Sequence, residues 1–73
     1  MKARIGNRLR VFRAERRWTQ WEVARRARIP KYRYWAIENE QTEPTVAERR
    51  RLARVLGADP AAIWPVPSPE VAR

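Results

Sequence analysis

The chain predicts an all-α fold, five short helices packed as one compact domain. Three observations carry this. Thr19-x-x-Glu22 and Thr45-x-x-Glu48 are capping boxes, in which the Thr hydroxyl and the Glu carboxylate each satisfy a free backbone N–H at a helix start. Apolar residues from Ile5 to Phe12 recur at helical spacing. Gly57 followed by Asp59-Pro60 reads as a helix stop and then a new start. Seventy-three residues make one domain, and a core of that size depends on efficient helix packing or on a partner.

The first helix is expected within residues 3–16. Ile5, Leu9, Phe12 and Arg16 are spaced by 4, 3 and 4 on one face, flanked by Arg8, Arg10, Arg13 and Arg17. Trp18 is the expected apolar plug before the second helix. That helix spans about 20–27, opened by Thr19, with Val23, Ala24 and Ala27 inward; Ala24 is small where helices approach closely. Arg28-Ile29-Pro30 is the turn, Ile29 dropping into the core and Pro30 starting the third helix, about 31–39. Tyr34 and Ile37, three apart, face inward, which turns Lys31, Tyr32, Arg33, Trp35 and Ala36 outward.

Residues 39–44 form a polar loop. The fourth helix follows Thr45, with Val46, Leu52, Ala53 and Leu56 as its buried stripe and Arg49, Arg50, Arg51 and Arg54 on other faces. A one-turn helix runs from Pro60 through Trp64. Pro65, Pro67 and Pro69 then prevent regular structure, so residues 1–64 are the expected domain and 65–73 an extended, disordered tail.

Residues 19–39 thus form two helices joined by a tight turn. The second carries Lys31, Tyr32, Arg33 and Trp35 near its N-terminal end, the arrangement by which a helix-turn-helix offers side chains to a DNA major groove. Charge agrees. Residues 1–33 hold 12 Lys/Arg and 2 Glu, a net of +10, whereas residues 34–73 hold 5 Arg and 6 Asp/Glu, a net of −1. The basic residues are 15 Arg and 2 Lys, and Arg forks suit phosphate and guanine. Codon bias explains part of the Arg preference but not the asymmetry along the chain. Charge alone leaves an anionic membrane surface open as well.

The chain has no cysteine and no histidine, so a thiolate or His metal site and a His acid–base centre are excluded, and neither an enzyme nor a cofactor is expected. No apolar run approaches the roughly 20 residues of a bilayer span, and the N-terminus lacks a signal-peptide stretch. A cytoplasmic protein is the expectation.

Ile5-Gly6-x-Arg8-Leu9-Arg10-x-Phe12-Arg13, Trp18-Thr19-Gln20-x-Glu22-Val23-Ala24, Ile37-Glu38-Asn39, Pro44-Thr45 and Leu52-Ala53-x-x-Leu56-Gly57 together resemble the XRE-type Cro/repressor helix-turn-helix family. Each motif is weak alone; their order and spacing from about residue 4 to 64 make the resemblance specific. It implies a five-helix, lambda-repressor-like fold that binds operator DNA, usually as a dimer. Carried over residue by residue, it implies that Gln20 hydrogen-bonds a phosphate, that Lys31, Tyr32, Arg33 and Ala36 face base edges or nearby phosphates, that Arg13 pairs with Glu38, and that Asn39 reaches backbone. The chain departs from the family pattern at Arg28 and Glu40, where Gly is common, and at Trp21 and Trp35, where small or polar residues are common. Glu40 and Glu43 argue against phosphate contacts from residues 40–43.

The base-contacting set is therefore Lys31, Tyr32, Arg33 and Ala36, with Arg33 first as a bidentate donor to guanine and Lys31 equally suited to phosphate. Arg10, Arg13, Thr19, Gln20 and Asn39 are the phosphate-contacting set. Tyr32 divides evenly between phosphate bonding and packing, and Trp35 between half-buried packing, thymine methyls and a protein partner. Ala58, Ala61, Trp64 and Val66 form the expected surface of a weak homodimer, unless Trp64 only closes its own core. Two functions follow. The first is a small sequence-specific transcription regulator on double-stranded DNA, Cro-like repressor or controller. The second is a protein-interaction module, an antitoxin or an RNA-polymerase-docking factor, using Trp21 or Trp35.

Overall fold

A computed structural model of the chain describes residues 6–65. Their order is α1 (Leu9–Glu15), α2 (Gln20–Arg26), α3 (Lys31–Glu38), α4 (Val46–Leu56) and α5 (Pro60–Ile63), and all their regular structure is helical. Ile5 in the first stripe, and residues 66–73 with Val66, lie outside the described residues.

The caps fix the helix starts. Thr19 and Thr45 both form complete capping boxes, with Glu22 and Glu48. The Asp59 side chain accepts from the Ala61 N–H, and Pro60 occupies the first helical turn, where its missing N–H costs nothing. Pro30 stands one residue earlier than expected, as the extended cap before Lys31.

The first helix starts later than its periodicity suggested, at Leu9. Asn7 is the reason. Its Oδ1 accepts the Leu9 N–H at 3.0 Å, its Nδ2 donates to the Ile37 carbonyl at 2.9 Å, and its own N–H donates to Glu40 Oε2 at 3.1 Å. The residue that opens α1 thus ties it to the end of α3. Arg16 ends the apolar stripe with a polar role. Its guanidinium donates to the Phe12 carbonyl at 2.8 Å and to the Leu56 carbonyl, capping α4.

Four helices end the same way. After α1, α2, α3 and α4 the chain enters the left-handed region at Arg17, Arg28, Glu40 and Gly57. The next N–H then reaches back to a carbonyl five residues earlier: Trp18 to Arg13, Ile29 to Ala24, Gln41 to Ala36 and Ala58 to Ala53. This motif turns the chain sharply enough for short helices to pack around one core. Arg28 accepts the left-handed backbone that its position demands, with φ 60°. A β-carbon there costs about 1 kcal/mol, and Arg28 is exposed. Arg28→Gly is therefore expected to raise the melting temperature by about 4–8 °C. A thermal melt showing no rise would place the strain elsewhere.

Leu9, Val23, Ala24, Ala27, Ile29, Tyr34, Ile37, Leu52, Ala53, Leu56 and Ile63 form the buried core, with Phe12, Trp18, Val55, Ala58 and Trp64 packed at its edge. Tyr34 and Ile37 point inward as their spacing required. Trp18 fills the gap between α1 and α2, with the Arg26 guanidinium 4.3 Å from its ring centre. Val46 corrects the expected α4 stripe: it is exposed. Six residues before Leu52, it falls on a different face, and one turn before Leu52 the helix instead presents Glu48 and Arg49. Ile63, which carries no distinct signal in the sequence, closes the core from α5, where its carbonyl accepts the Arg8 N–H at 2.8 Å.

Candidate nucleic-acid interface

Glu38 organises the site. It is the one buried charged residue among those described, and its side chain is 1% exposed. Arg13 grips it bidentately, Nε to Oε1 at 2.9 Å and Nη2 to Oε2 at 2.9 Å. The Tyr34 hydroxyl donates to Oε1 at 2.6 Å, and Gln20 Nε2 donates to Oε2 at 3.1 Å. Arg10 Nε adds a longer bond at 3.3 Å. One carboxylate therefore fixes α1, the first residue of α2, and α3 relative to each other.

Burial alone would push the Glu38 carboxyl upward; the hydrogen bonds from Arg13, Tyr34 and Gln20 outweigh it and hold it at about 2. Burial, reinforced by the Glu38 carboxylate, drives the Tyr34 phenol well above its ordinary value, so it remains a donor. Glu48 also lies at about 2, chiefly because Arg33 hydrogen-bonds it. Both carboxyls fall below the ordinary 4.5. Their stabilising contributions are therefore complete above that value and disappear as pH falls towards about 2. The urea midpoint is expected to drop between pH 5 and pH 2, and to drop less in Glu48→Gln. Equal acid sensitivity in the two proteins would show that Glu48 contributes nothing to it.

Several expected contacts are engaged internally. Arg33 does not stand free for a guanine: Nε and Nη2 hold Glu48 at 2.9 and 2.8 Å, Nη1 donates to Thr42 at 3.3 Å, and Nη2 also reaches the Glu43 carbonyl at 3.2 Å. It clamps α3 to the start of α4, and a base edge would have to displace Glu48. Arg13 is likewise engaged internally, its third nitrogen donating to the Trp18 carbonyl at 3.0 Å. These internal bonds share a cause. A guanidinium on the flank of a helix meets the nearest carboxylate of the adjoining helix: Arg13 of α1 meets Glu38 of α3, and Arg33 of α3 meets Glu48 of α4.

The remaining residues form a surface. Lys31 is exposed at the first position of α3, its Nζ 5.2 Å from the centre of the Trp21 ring. Tyr32 is 77% exposed, and Ala36, one turn on, is half-buried. Trp35 and Trp21 are both exposed large apolar residues, Trp21 at 60%. Arg10 is anchored at Glu38 and at Asn39 Oδ1 (3.4 Å), yet its side chain is 68% exposed. Asn39 donates to the Trp35 carbonyl at 2.9 Å. Gln20 keeps one amide hydrogen beyond the bond to Glu38, and exposed Thr19 retains its hydroxyl proton while accepting from Glu22 N–H. Elsewhere, Ala61 is exposed, Ala58 half-buried, and Trp64 packs on the core edge with Arg49 over its ring at 5.4 Å.

Two helices joined by a tight turn over residues 27–30, an outward polar-aromatic face on the second, and a buried carboxylate locking both to α1 define a helix-turn-helix. A family model described as a helix-turn-helix domain matches residues 4–63. The chain belongs to this family. Helix-turn-helix domains of this kind are XRE/Cro-like DNA-binding domains, and the five-helix fold agrees with the XRE-type resemblance. A comparison with curated proteins finds no match. No helix among the described residues is long and apolar enough to cross a membrane.

Asn7 and Glu48 support the site without being evident in the sequence. Asn7 carries no local signal, since its partners Ile37 and Glu40 are 30 and 33 residues away. Glu48 is visible there as a capping residue, but not as the partner of Arg33.

Proposed function

We propose that this helix-turn-helix domain is a small sequence-specific regulator of transcription that docks α3 in the major groove of operator DNA. The observation that carries this is the outward face of exposed Lys31 and Tyr32 and half-buried Ala36, held beside Thr19, Gln20 and Arg10 by the single carboxylate of Glu38. Tyr32 and Ala36 lie towards base edges, with Lys31 at their border. Thr19, Gln20, Arg10 and Asn39 hold phosphates, using the hydrogens that the internal network leaves over. Arg13 and Arg33 position these groups and touch no DNA. The chemistry is binding without catalysis.

One such helix covers only a few base pairs. Two in successive grooves need a separation of about 34 Å, which a two-fold dimer supplies. Ala58, Ala61 and Trp64, with Val66, are the proposed contact. They are too few for the roughly 1,200–2,000 Å² of a stable interface, so the dimer assembles on DNA. Selection from random duplexes is expected to return an inverted repeat. Lys31→Ala should alter the selected half-site or weaken it, whereas Gln20→Ala should weaken specific and random duplexes alike. One protomer per selected site, or a site without inverted symmetry, overturns the dimer. Selection that returns no sequence overturns the regulator.

Exposed Trp21 and Trp35 favour a second reading, a protein-interaction module of antitoxin or polymerase-docking type. A partner seated on Trp21 beside Lys31 would compete with DNA. Salt-insensitive capture of a protein, without duplex retention, distinguishes it.

A further inference from the structure

We propose that the outward face of α3 selects its DNA through thymine C5-methyl groups, so that A·T pairs rather than guanines specify the half-site; this rests on the DNA-binding reading above. The commonest specific contact in a major groove is an Arg or Lys donating to guanine O6 and N7. This helix has withdrawn its arginine. All three nitrogens of the Arg33 guanidinium are bonded to Glu48, Thr42 or the Glu43 carbonyl. Its other cation, Lys31, is drawn sideways over Trp21, next to Gln20 at the start of α2, and so towards the phosphate-binding border.

What remains at the centre of the face is apolar or aromatic. Tyr34, Ile37 and Glu38 mark the buried side of α3. At 100° per residue, Tyr32 and Ala36 lie opposite them, one above the other at i and i+4, with Trp35 alongside. Tyr32 is largely uncovered, and about half of the Trp35 surface is. A major groove offers one apolar group to such a face, the thymine methyl. The basic N-terminal half, net +10 over residues 1–33, supplies the attraction to the duplex, and the apolar centre supplies the discrimination.

The test begins with the best duplex from random selection. Each thymidine is replaced singly by deoxyuridine, which removes the methyl and leaves the pairing intact. Wild-type protein is expected to lose about fourfold in affinity at one or two positions per half-site, the factor given by about 0.8 kcal/mol for one methyl-sized group. Tyr32→Ala should bind the thymine duplex more weakly and lose its sensitivity to deoxyuridine at one of those positions. Tyr32 is 77% exposed, so this variant retains the fold. If every deoxyuridine duplex binds like its parent, or if all discriminating positions are G·C, the proposal is overturned while DNA binding stands. If Tyr32→Ala and Ala36→Gly keep the full deoxyuridine effect, the methyl acts through DNA shape and the proposal is again overturned. Failure of the unsubstituted duplex to bind at all overturns the DNA-binding reading itself, and is seen before any thymidine is changed.

Discussion

Glu38→Ala is expected to cost the fold about 3–5 kcal/mol, the range for removing one partner of a buried ion pair. The loss is large because several groups lose their acceptor together. Arg13 keeps only its bond to the Trp18 carbonyl, and the fully buried Tyr34 hydroxyl loses its 2.6 Å bond. Gln20 loses the bond that fixes its amide beside α3. At 4–8 °C per kcal/mol for a domain of this size, the melting temperature falls by at least about 12 °C. Since small domains hold only about 5–15 kcal/mol in total, urea titration is the suitable measurement. Arg13→Met and Glu38→Gln, separately and together, complete a double-mutant cycle. Residues sharing one network couple by about 0.5–3 kcal/mol; a coupling near zero would show that the pair does not hold α1 to α3.

That pair is legible in the amino-acid sequence, because Arg13 and Glu38 fall on family positions beside the apolar stripes. The capping boxes are legible too, since each is closed within four residues and needs no tertiary contact. So are Tyr34, Ile37 and Ile29. Arg33 shows where such legibility stops. Its outward position on α3 is correct, but which acceptor it meets depends on how α4 is laid against α3, and Glu48 already has a local partner in Thr45. The two roles of Glu48 are compatible: Oε1 accepts the Thr45 N–H at 2.8 Å while also meeting Arg33. Asn7 is invisible for a similar reason, its amide being spent on a helix 30 residues away. Val46 misleads because an apolar residue at a helix start is easily counted into a stripe whose period excludes it. Local signals thus mark where the helices begin and end, while the destinations of long polar side chains emerge only from the packing of one helix on another.

The second large effect concerns DNA. Of the 12 basic residues in positions 1–33, Arg13, Arg16 and Arg33 are held by internal acceptors and largely covered, whereas Arg8, Arg17, Arg25 and Lys31 are exposed, as is Arg10 despite its bonds to Glu38 and Asn39. Roughly three to five phosphate contacts per protomer are within their reach, or about 6–10 for a dimer. Each neutralised phosphate releases counterions, so affinity falls steeply with salt: roughly 10³–10⁵ between about 50 and 200 mM for that number of contacts. A duplex titrated at several salt concentrations across this range tests the claim that this is a DNA-binding surface. The expected result is a straight log–log plot with a slope set by the phosphates touched, shallower by about 1 per protomer in Arg10→Ala. A flat plot, or no duplex binding at the lowest salt, would contradict it.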